Sequence, residues 1–366
     1  MKKLFICLFG LLFIFSCNFA WAATGQNKNK IQELWAKADK LRENGDFEQA
    51  IKLYTKAISI KPNSAEAYFR RGGCYSSWFY SDHNNSQFGA NSISINYIQS
   101  ALADYTKAIE LNPSNLDYYF NRALLYKDDE KKLSDYRKMV ELTTAKIAKA
   151  PDITSYYYKR MAETMIDGVI QAAENRKHLA EMREHSSKDY SYSSEDRKKM
   201  ENDRIEKSKA RELKKQQIIQ ENKIIASLKP KDIEEEVKQY CILSDISNIH
   251  DGYIMYKNSL MKNVEENNKI KLVKVSQEEI DERKERREKV LSRGMELLEK
   301  KGLNAWQKMT VLSCINRIVI MIPDNEITLD KERFLEHCEQ AMELAEKEGK
   351  GEKYNEFIRS IESRFR

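Results

Sequence analysis

A short segment of this chain occurs twice, and that repetition limits the available folds more than any other feature. Leu53–Ile58 reads LYTKAI and Asp104–Ile109 reads DYTKAI, and each copy is followed by a proline, Pro62 or Pro113. Repeats with a period of about 20–50 residues are typical of architectures in which similar units stack on one another. We therefore interpret the chain as containing a stacked array of such units.

The residues around the first copy predict two helices joined by a tight turn. Apolar residues recur at steps of one, three and four from Ile31 to Leu41, which is the periodicity of one buried helix face. Gly45 is expected to end that helix, because glycine readily adopts positive φ. A second stripe runs from Phe47 to Ile58. With only 12 glycines and 5 prolines in 366 residues, the composition favours an all-α fold.

These residues resemble the tetratricopeptide repeat (TPR), a helix–turn–helix unit of about 34 residues. In residues 31–64 the family pattern is carried by Leu34, Ala38, Leu41, Gly45, Phe47, Ala50, Tyr54, Ala57 and Pro62. The small alanines allow paired helices to approach closely, and the larger side chains fill the space between repeats. The resemblance implies a second repeat at 65–115 and a third at 116–146.

The second and third repeats depart from the family length. The second carries about 17 additional residues between Ser76 and Asn96, and its residues 82–86 with Gly89 predict a loop there. The third has a turn shorter by about three residues, and Met139 stands where the family places a small residue.

Beyond residue 146 the repeat pattern fades while the periodicity stays helical. We interpret 147–185 as a degenerate fourth helical hairpin, since terminal repeats are commonly atypical. Residues 186–231 are predicted to form a charged linker and long helix, and 232–366 a C-terminal α-helical domain. Within that domain, 243–264 is expected to be helical and 270–275 is too short to assign. The predicted fold is an all-α TPR-type helical-hairpin solenoid, a long charged helix and a C-terminal helical domain.

The N-terminus has the features of an export signal. Lys2 and Lys3 precede the apolar run Leu4–Phe15, and Ala20–Ala22 offers small residues where a signal peptidase cuts. We therefore expect a signal peptide at 1–22 and export across the inner membrane of a bacterium, to the periplasm, the envelope or the medium.

Two alternatives to a cleaved signal remain. In the first, Cys17 is acylated and the protein is a lipoprotein, although the residue before Ser16 is larger than the lipoprotein box prefers. In the second, the segment is an uncleaved anchor, which its short apolar run disfavours. Contact with a membrane is expected only through this segment or a lipid.

The charge balance argues against nucleic acid as a partner. The formal charge of the whole chain is +6, and removal of residues 1–22, which contain Lys2 and Lys3 and no acids, leaves +4. So small an excess, spread over a mixed sequence, does not form the basic patch that nucleic acid requires.

The sequence contains no nucleophile motif, phosphate-binding loop or paired-histidine zinc signature, so no enzyme, cofactor or metal site is predicted. His178 and His185 are interpreted as solvated surface residues. Four cysteines lie beyond the signal segment, and they allow three connectivities: Cys74, Cys241, Cys314 and Cys338. Cys314 and Cys338 lie on consecutive predicted helices and form the candidate disulfide.

The TPR resemblance also implies where a partner binds. In this family the first helix of each repeat lines a concave groove that receives a peptide or partner segment. The candidate groove residues are Trp35, Asp39, Phe69, Arg70, Asp117, Phe120 and Asn121. Trp35, Phe69 and Phe120 occupy the same position of the repeat and suggest an aromatic stripe for an apolar or extended ligand. The alternative is that these rings pack against the adjacent repeat.

The subclass of the family that grips a C-terminal carboxylate uses lysine, asparagine and arginine in this groove. Asp39 and Asp117 are expected to repel a carboxylate, so that ligand is not favoured. The leading hypothesis is an exported scaffold for protein–protein interaction in the cell envelope. An outer-membrane lipoprotein that assists envelope assembly, secretion or pilus biogenesis is one alternative, and an enzyme hosted by 232–366 is another. The partner and the oligomeric state are not predicted.

Overall fold

A computed structural model describes residues 29–85, 92–185, 194–248, 253–256, 259–266, 269–320, 329–349 and 351–363. The predicted signal segment at 1–22, with Cys17, lies outside the described residues. The chain divides into two compact units, Met1–Leu142 and Thr143–Arg366, called here the repeat unit and the C-terminal unit. Among the described residues, no helix is both long enough and apolar enough to cross a membrane.

The described part of the repeat unit consists of helices that alternate as three hairpins. They are α1 (29–43), α2 (Phe47–Ile60), α3 (Ala65–Asn85), α4 (Ser92–Leu111), α5 (Leu116–Leu125) and α6 (Asp129–Lys149). The predicted repeats at 31–64, 65–115 and 116–146 each correspond to one of these hairpins. Helix α6 extends past the boundary of the unit.

The turn between α1 and α2 has the geometry that its glycine predicts. Gly45 adopts a φ of 84°. The amide of Asp46 donates to the carbonyl of Leu41 at 2.8 Å, and the amide of Gly45 donates to Arg42 at 3.1 Å. This pair of bonds is a Schellman motif, which satisfies carbonyls that the end of a helix leaves without partners.

The insertion in the second hairpin lengthens both of its helices. The loop predicted to begin at residue 82 is wrong for residues 82–85, which complete α3. Trp78 of α3 stacks on Tyr97 of α4 with ring centroids 4.2 Å apart, and it also stacks on Phe47 of the first hairpin at 6.1 Å. The stabilisation from aromatic packing between the two lengthened helices therefore exceeded the turn preference of residues 82–85.

The third hairpin accommodates its irregular residues locally. The side chain of Asn115 caps α5 by accepting a hydrogen bond from the amide of Asp117 at 2.9 Å. Helix α5 ends without a glycine, at Tyr126 in an extended conformation. Met139, which replaces a small residue of the family pattern, is fully buried in α6.

Apolar packing in the repeat unit occurs as several small clusters. Ala38, Ala50, Tyr54 and Cys74 join the first hairpin to the second. A second cluster lies within the first hairpin, and a third joins the second hairpin to α5 around Tyr105. Each cluster involves only neighbouring helices, as stacked repeats require.

The C-terminal unit begins with two long helices, α7 (Ile153–His185) and α8 (Ser194–Ser227). Ion pairs join them: Arg160–Glu221 at 2.9 Å, Asp167–Lys214, and Glu174–Lys207 at 3.6 Å. The residue numbers of the partners on α8 decrease as those on α7 increase. The two helices are therefore antiparallel. The prediction of a hairpin within 147–185 is therefore corrected. Residues 153–185 form one helix, and its partner comes from the segment predicted as a charged linker.

The remaining elements of the C-terminal unit are α9 (Ile233–Asn248), β1 (Tyr253–Tyr256), β2 (Ser259–Glu266), β3 (Lys269–Lys274), α10 (Gln277–Leu298), α11 (Ala305–Ile320), α12 (Lys331–Lys347) and α13 (Gly351–Glu362). Their helices share one large core, in which Leu298, Leu312, Ile315, Ile318 and Phe334 are almost completely buried. This core is built from helices, as the predicted all-α class requires, and it lies in a unit that begins at Thr143 and not at residue 232.

A small antiparallel sheet interrupts that helical domain, and the prediction of helix across 243–264 is wrong beyond α9. Strand β1 pairs with β2, ending at Tyr256 opposite Ser259, and β2 pairs with β3 from Glu266 opposite Lys269. The segment Lys269–Lys274 reads KIKLVK, whose partial period-two alternation indicates a strand. The segment has only 6 residues, and so short a run does not distinguish a strand from part of a helix.

Candidate protein-binding face of the repeats

All seven predicted groove residues lie on α1, α3 and α5, the first helices of the three hairpins. Every one of them is partly buried. We call the surface formed by these residues the A-helix face. The contacts of each residue decide whether it is available to a partner.

A charged network occupies the first part of the A-helix face. The guanidinium of Arg70 lies 5.1 Å from the centroid of the Trp35 ring. It donates to Asp39 at 2.5 Å and to Glu66 at 2.6 Å. The hydroxyl of Tyr54 donates to the second oxygen of Asp39 at 2.6 Å. Burial and then this bond raise the pKa of Tyr54 well above its usual value.

This network changes the electrostatic argument drawn from the sequence. Asp39 was expected to repel a carboxylate ligand, yet its charge is offset by Arg70 and by the Tyr54 hydroxyl. Arg70, in turn, is shared between two carboxylates and is not an open cation. Arg42 also lies 4.0 Å from Asp39, so the two acids and two arginines around Trp35 largely balance one another.

The aromatic residues of the face take part in packing. The ring of Phe69 lies 4.8 Å from Tyr118 of the next hairpin and 5.7 Å from Tyr105 of its own. Phe120 lies 6.4 Å from Tyr136. Phe69 therefore joins two repeats, as in the alternative to a free stripe, and it remains partly exposed.

Asp117 and Asn121 are positioned by their own helix. The Asn121 side-chain amide donates to the backbone carbonyl of Asp117 at 2.8 Å. The Asn121 side chain thus folds back along α5. This contact lies within the first turns of α5 and does not involve another helix.

Sequence reasoning missed an exposed apolar residue on the first helix of the third hairpin. Leu124 of α5 is 46% exposed. It occupies the same repeat position as Gly73 and Asp39, because the spacing is 51 residues from Leu124 to Gly73 and 34 from Gly73 to Asp39. A Cβ at Gly73 would meet only the Tyr105 hydroxyl, at 3.8 Å. Asp39 already marked this position in the first hairpin, so comparing the position in all three repeats would have identified Leu124.

Two arginines form hydrogen bonds that connect neighbouring hairpins. Arg71 forms a bidentate pair with Asp104 at 2.7 and 2.8 Å and donates to Thr55 of the preceding hairpin at 3.1 Å. The bond to Asp104 raises the pKa of Arg71 above its usual value. Each such arginine joins its own hairpin to the one before it.

The same arrangement recurs one repeat later. Arg122 pairs with Asp135 at 2.6 and 2.9 Å and donates to Thr106 at 3.0 Å. The spacing of 51 residues that separates the two threonines also separates Arg71 from Arg122. The recurring Tyr-Thr dipeptide was visible in the sequence, but its arginine partner was not recognised because it lies on another helix.

The cysteines do not pair as the sequence suggested. Cys314 and Cys338 are both free, so the predicted disulfide between them is absent from the structure. The Sγ of Cys314 instead lies 3.4 Å from the Sγ of Cys241. Burial raises the pKa of Cys338 to about 12 and that of Cys74 likewise to about 12. Within the described ranges, no group of three or more His, Cys, Asp or Glu residues is placed to hold a metal.

Comparison with known families agrees with the repeats. Residues 38–76 match a family model described as TPR repeat, and residues 104–141 match one described as tetratricopeptide repeat. The first match spans α2 and its flanking helices, and the second runs from the end of α4 into α6. The chain therefore carries tetratricopeptide repeats.

Several solved structures are similar to this chain at low identity. The first TPR of Spaghetti (RPAP3), bound to the HSP90 peptide SRMEEVD, is 20% identical, with 40% of this chain and 94% of that one covered and a TM-score of 0.29. A tetratricopeptide repeat protein from Parabacteroides merdae is 13% identical, with coverages of 90% and 99% and a TM-score of 0.30. Yeast Tom70 is 15% identical, with coverages of 87% and 49% and a TM-score of 0.26. Because these TM-scores are 0.30 or less, the assignment of the repeats rests on the family models and on the hairpins themselves.

Proposed function

We propose that the tetratricopeptide repeats of this chain form a scaffold that binds a protein partner across the A-helix face. The observation that carries this proposal is the repetition of partly exposed apolar groups on the first helix of each hairpin. Trp35 and Phe120 occupy equivalent positions, and Leu124 lies one turn further along α5. Apolar groups in register along stacked helices provide an extended surface for a partner segment.

The electrostatics of the face favour an apolar partner segment. Arg70 is held by Asp39 and Glu66, and Arg42 lies 4.0 Å from Asp39, so neither sign of charge predominates around Trp35. A partner that relied on a charged group would have to displace these bonds, whereas an apolar side chain gains from covering Leu124 without that cost. We therefore assign the partner as a protein segment that presents apolar side chains.

We also propose that the scaffold acts in the bacterial cell envelope after export. The support is the charged, apolar and A-W-A sequence of residues 1–22. The alternative of a lipoprotein involves Cys17. The mass of the mature protein distinguishes them, because a polypeptide that begins at Ala23 without an acyl group excludes the lipoprotein, and a diacylated N-terminal Cys17 excludes the cleaved form.

A position-specific crosslinking experiment tests the binding face. A photoreactive amino acid is placed at Leu124 of α5 or, as the control, at Lys107 of α4. Residue Leu124 is 46% exposed, and the side chain of Lys107 is 47% exposed. After irradiation in cells, the variant at 124 is expected to give a discrete protein adduct and the variant at 107 to give none. Equal adducts at both positions, or none at 124, would contradict the assignment.

A matched pair of charge substitutions tests the same face in the purified protein. Leu124→Glu is expected to weaken capture of the crosslinked partner by about tenfold or more, because burying a carboxylate at an apolar contact is costly. Lys107→Glu serves as the control, since it places an acid at an equally exposed site on the second helix of a hairpin. Both variants should keep the helical circular dichroism of the parent protein.

A further inference from the structure

Two thiols of the C-terminal unit are in contact within its core. Cys241 of α9 and Cys314 of α11 place their Sγ atoms 3.4 Å apart. Both residues are buried, at 6% and 1% exposure. They belong to the same large apolar cluster, so the packing of α9 on α11 holds them together. A disulfide needs an S–S separation of about 2.05 Å, so the sulfurs have to approach by only roughly 1.4 Å.

The surroundings of Cys314 favour a thiolate. The guanidinium of Arg317 donates to the Sγ of Cys314 at 3.3 Å. The bond with Cys241, opposed by burial and reinforced by Arg317, lowers the pKa of Cys314 to about 7. The buried Cys338 nearby in the core has its pKa raised to about 12. Cys314 is therefore a better nucleophile than Cys338.

A cavity gives small molecules a route to the pair. Its volume is about 260 Å³, and its walls include both Cys241 and Cys314 together with Arg160 and Arg317. Arg160 is paired with Glu221 at 2.9 Å, so its charge is already offset within the protein. The cavity can admit the end of a small disulfide such as oxidised glutathione.

We propose that Cys241 and Cys314 are oxidised to a disulfide that joins α9 to α11, with a low-molecular-weight disulfide as the oxidant. The Cys314 thiolate attacks one sulfur of the oxidant, and one thiolate leaves as the mixed disulfide forms. Cys241 then loses its proton to solvent and attacks the Sγ of Cys314, which releases the second thiolate. Two protein thiols are oxidised, and the oxidant is reduced to two thiols.

The resulting crosslink closes a long segment of the chain. Residues 242–313 include β1, β2, β3 and α10, all of which lie between the two cysteines. Closing a loop of this length restricts the unfolded chain strongly and therefore stabilises the folded unit. The pairing differs from the Cys314–Cys338 bridge suggested by the sequence, and it does not depend on the A-helix face.

Peptide mapping tests the pairing directly. The purified protein, fully reduced and then exchanged into oxidised glutathione, is alkylated and digested with trypsin without reductant. We expect peptides 239–257 and 309–317 to appear as one linked species, with the Cys338 peptide 334–347 alkylated. The thermal transition of the C-terminal unit should rise by about 5–10 °C and fall back after reduction.

Substitutions by alanine provide the controls, because alanine keeps an apolar side chain in the core. Cys241→Ala and Cys314→Ala should each abolish the linked peptide and the thermal shift, and Cys338→Ala should retain both. A linkage of Cys314 to Cys338, a stable glutathione adduct as the end product, or a shift that survives Cys241→Ala would overturn the proposal. None of these outcomes alters crosslinking from position 124, so the two proposals fail separately.

Discussion

The repeat unit and the C-terminal unit bury their apolar side chains in different ways. In the repeat unit the buried residues form small separate clusters, such as the one of Ala38, Ala50, Tyr54 and Cys74. In the described part of the C-terminal unit, twenty buried residues from α9 to α13 form one continuous cluster. Stacked hairpins exchange contacts only with their neighbours, whereas a shared core connects all of its helices.

This difference predicts how far the destabilising effect of a substitution extends. A change in one hairpin should loosen that hairpin and its neighbours, and a change in the shared core should destabilise the whole C-terminal unit. It also bears on the proposed function, because a face made of hairpins that contact only their neighbours can adjust to a partner. The following predictions test this contrast, and the largest expected effect comes first.

Truncation in the shared core should have the largest effect. Phe334 is completely buried, so Phe334→Ala is expected to lower the free energy of unfolding of the C-terminal unit by about 3–5 kcal/mol. Hydrogen exchange should accelerate in α9 to α13 together and remain unchanged in α1 to α4. The control is Phe357→Ala in the same unit, whose ring is 39% exposed and whose loss should cost far less. Faster exchange throughout the repeat unit would refute the contrast.

Loss of an arginine between repeats should have a large but local effect. Arg122→Ala removes the partner of Asp135, whose side chain is 5% exposed, and it should cost about 3 kcal/mol. Exchange should accelerate in α4 to α6 only. The double variant Arg122→Met/Asp135→Leu should recover most of the loss, because it leaves no buried charge without a partner. An effect that extends to α1 would argue against nearest-neighbour coupling.

Two glycine substitutions should differ in sign between the units. In Gly294→Ala the new Cβ would clash with Tyr240 and lie 2.9 Å from Ile315, so a loss of about 1–3 kcal/mol is expected. In Gly73→Ala the Cβ has room, and the gain in helix propensity should stabilise the repeat unit by about 0.5–1 kcal/mol. Denaturation curves of the two variants provide the test. A loss at Gly73 would show that packing there is tighter than the structure indicates.

The smallest predicted effect is a dependence on pH in the C-terminal unit. Burial, reinforced by Lys308 and Arg333 and opposed by Gln340 and Glu336, lowers the pKa of His337. Below about pH 6.5 His337 is protonated in the unfolded chain, whereas in the folded state it binds the proton less readily. The free energy of unfolding should therefore decline as the pH falls through this value.

Urea denaturation at about pH 7.5 and about pH 5.5 measures that decline. The variant His337→Gln should show a smaller difference between the two pH values than the parent protein, whatever its absolute stability. An unchanged difference would mean that other groups produce the pH dependence.

Much of the repeat unit was predictable because its signals are local. The helix ends at Gly45 and Pro62 and the positions of Ala38 and Ala57 all follow from neighbours within one hairpin. The seven predicted residues lie on α1, α3 and α5 for the same reason, and their role in binding stays a prediction. The sequence did not reveal which contacts those residues make. Asp39 is offset by Arg70, which lies 31 positions away, and this long-range bond reverses the argument based on its charge.

The amino-acid sequence alone determined the helical class, the stacked hairpins and their order, since each depends on periodicity over a few turns. Only the tertiary structure decided that α7 pairs with α8, that a small sheet follows α9, and that Cys241 is the neighbour of Cys314. Each of these results joins residues about 30 or more positions apart or pairs strands with little local signal. Contacts at that separation depend on which surfaces the folded helices bury together, and local spacing does not encode that choice.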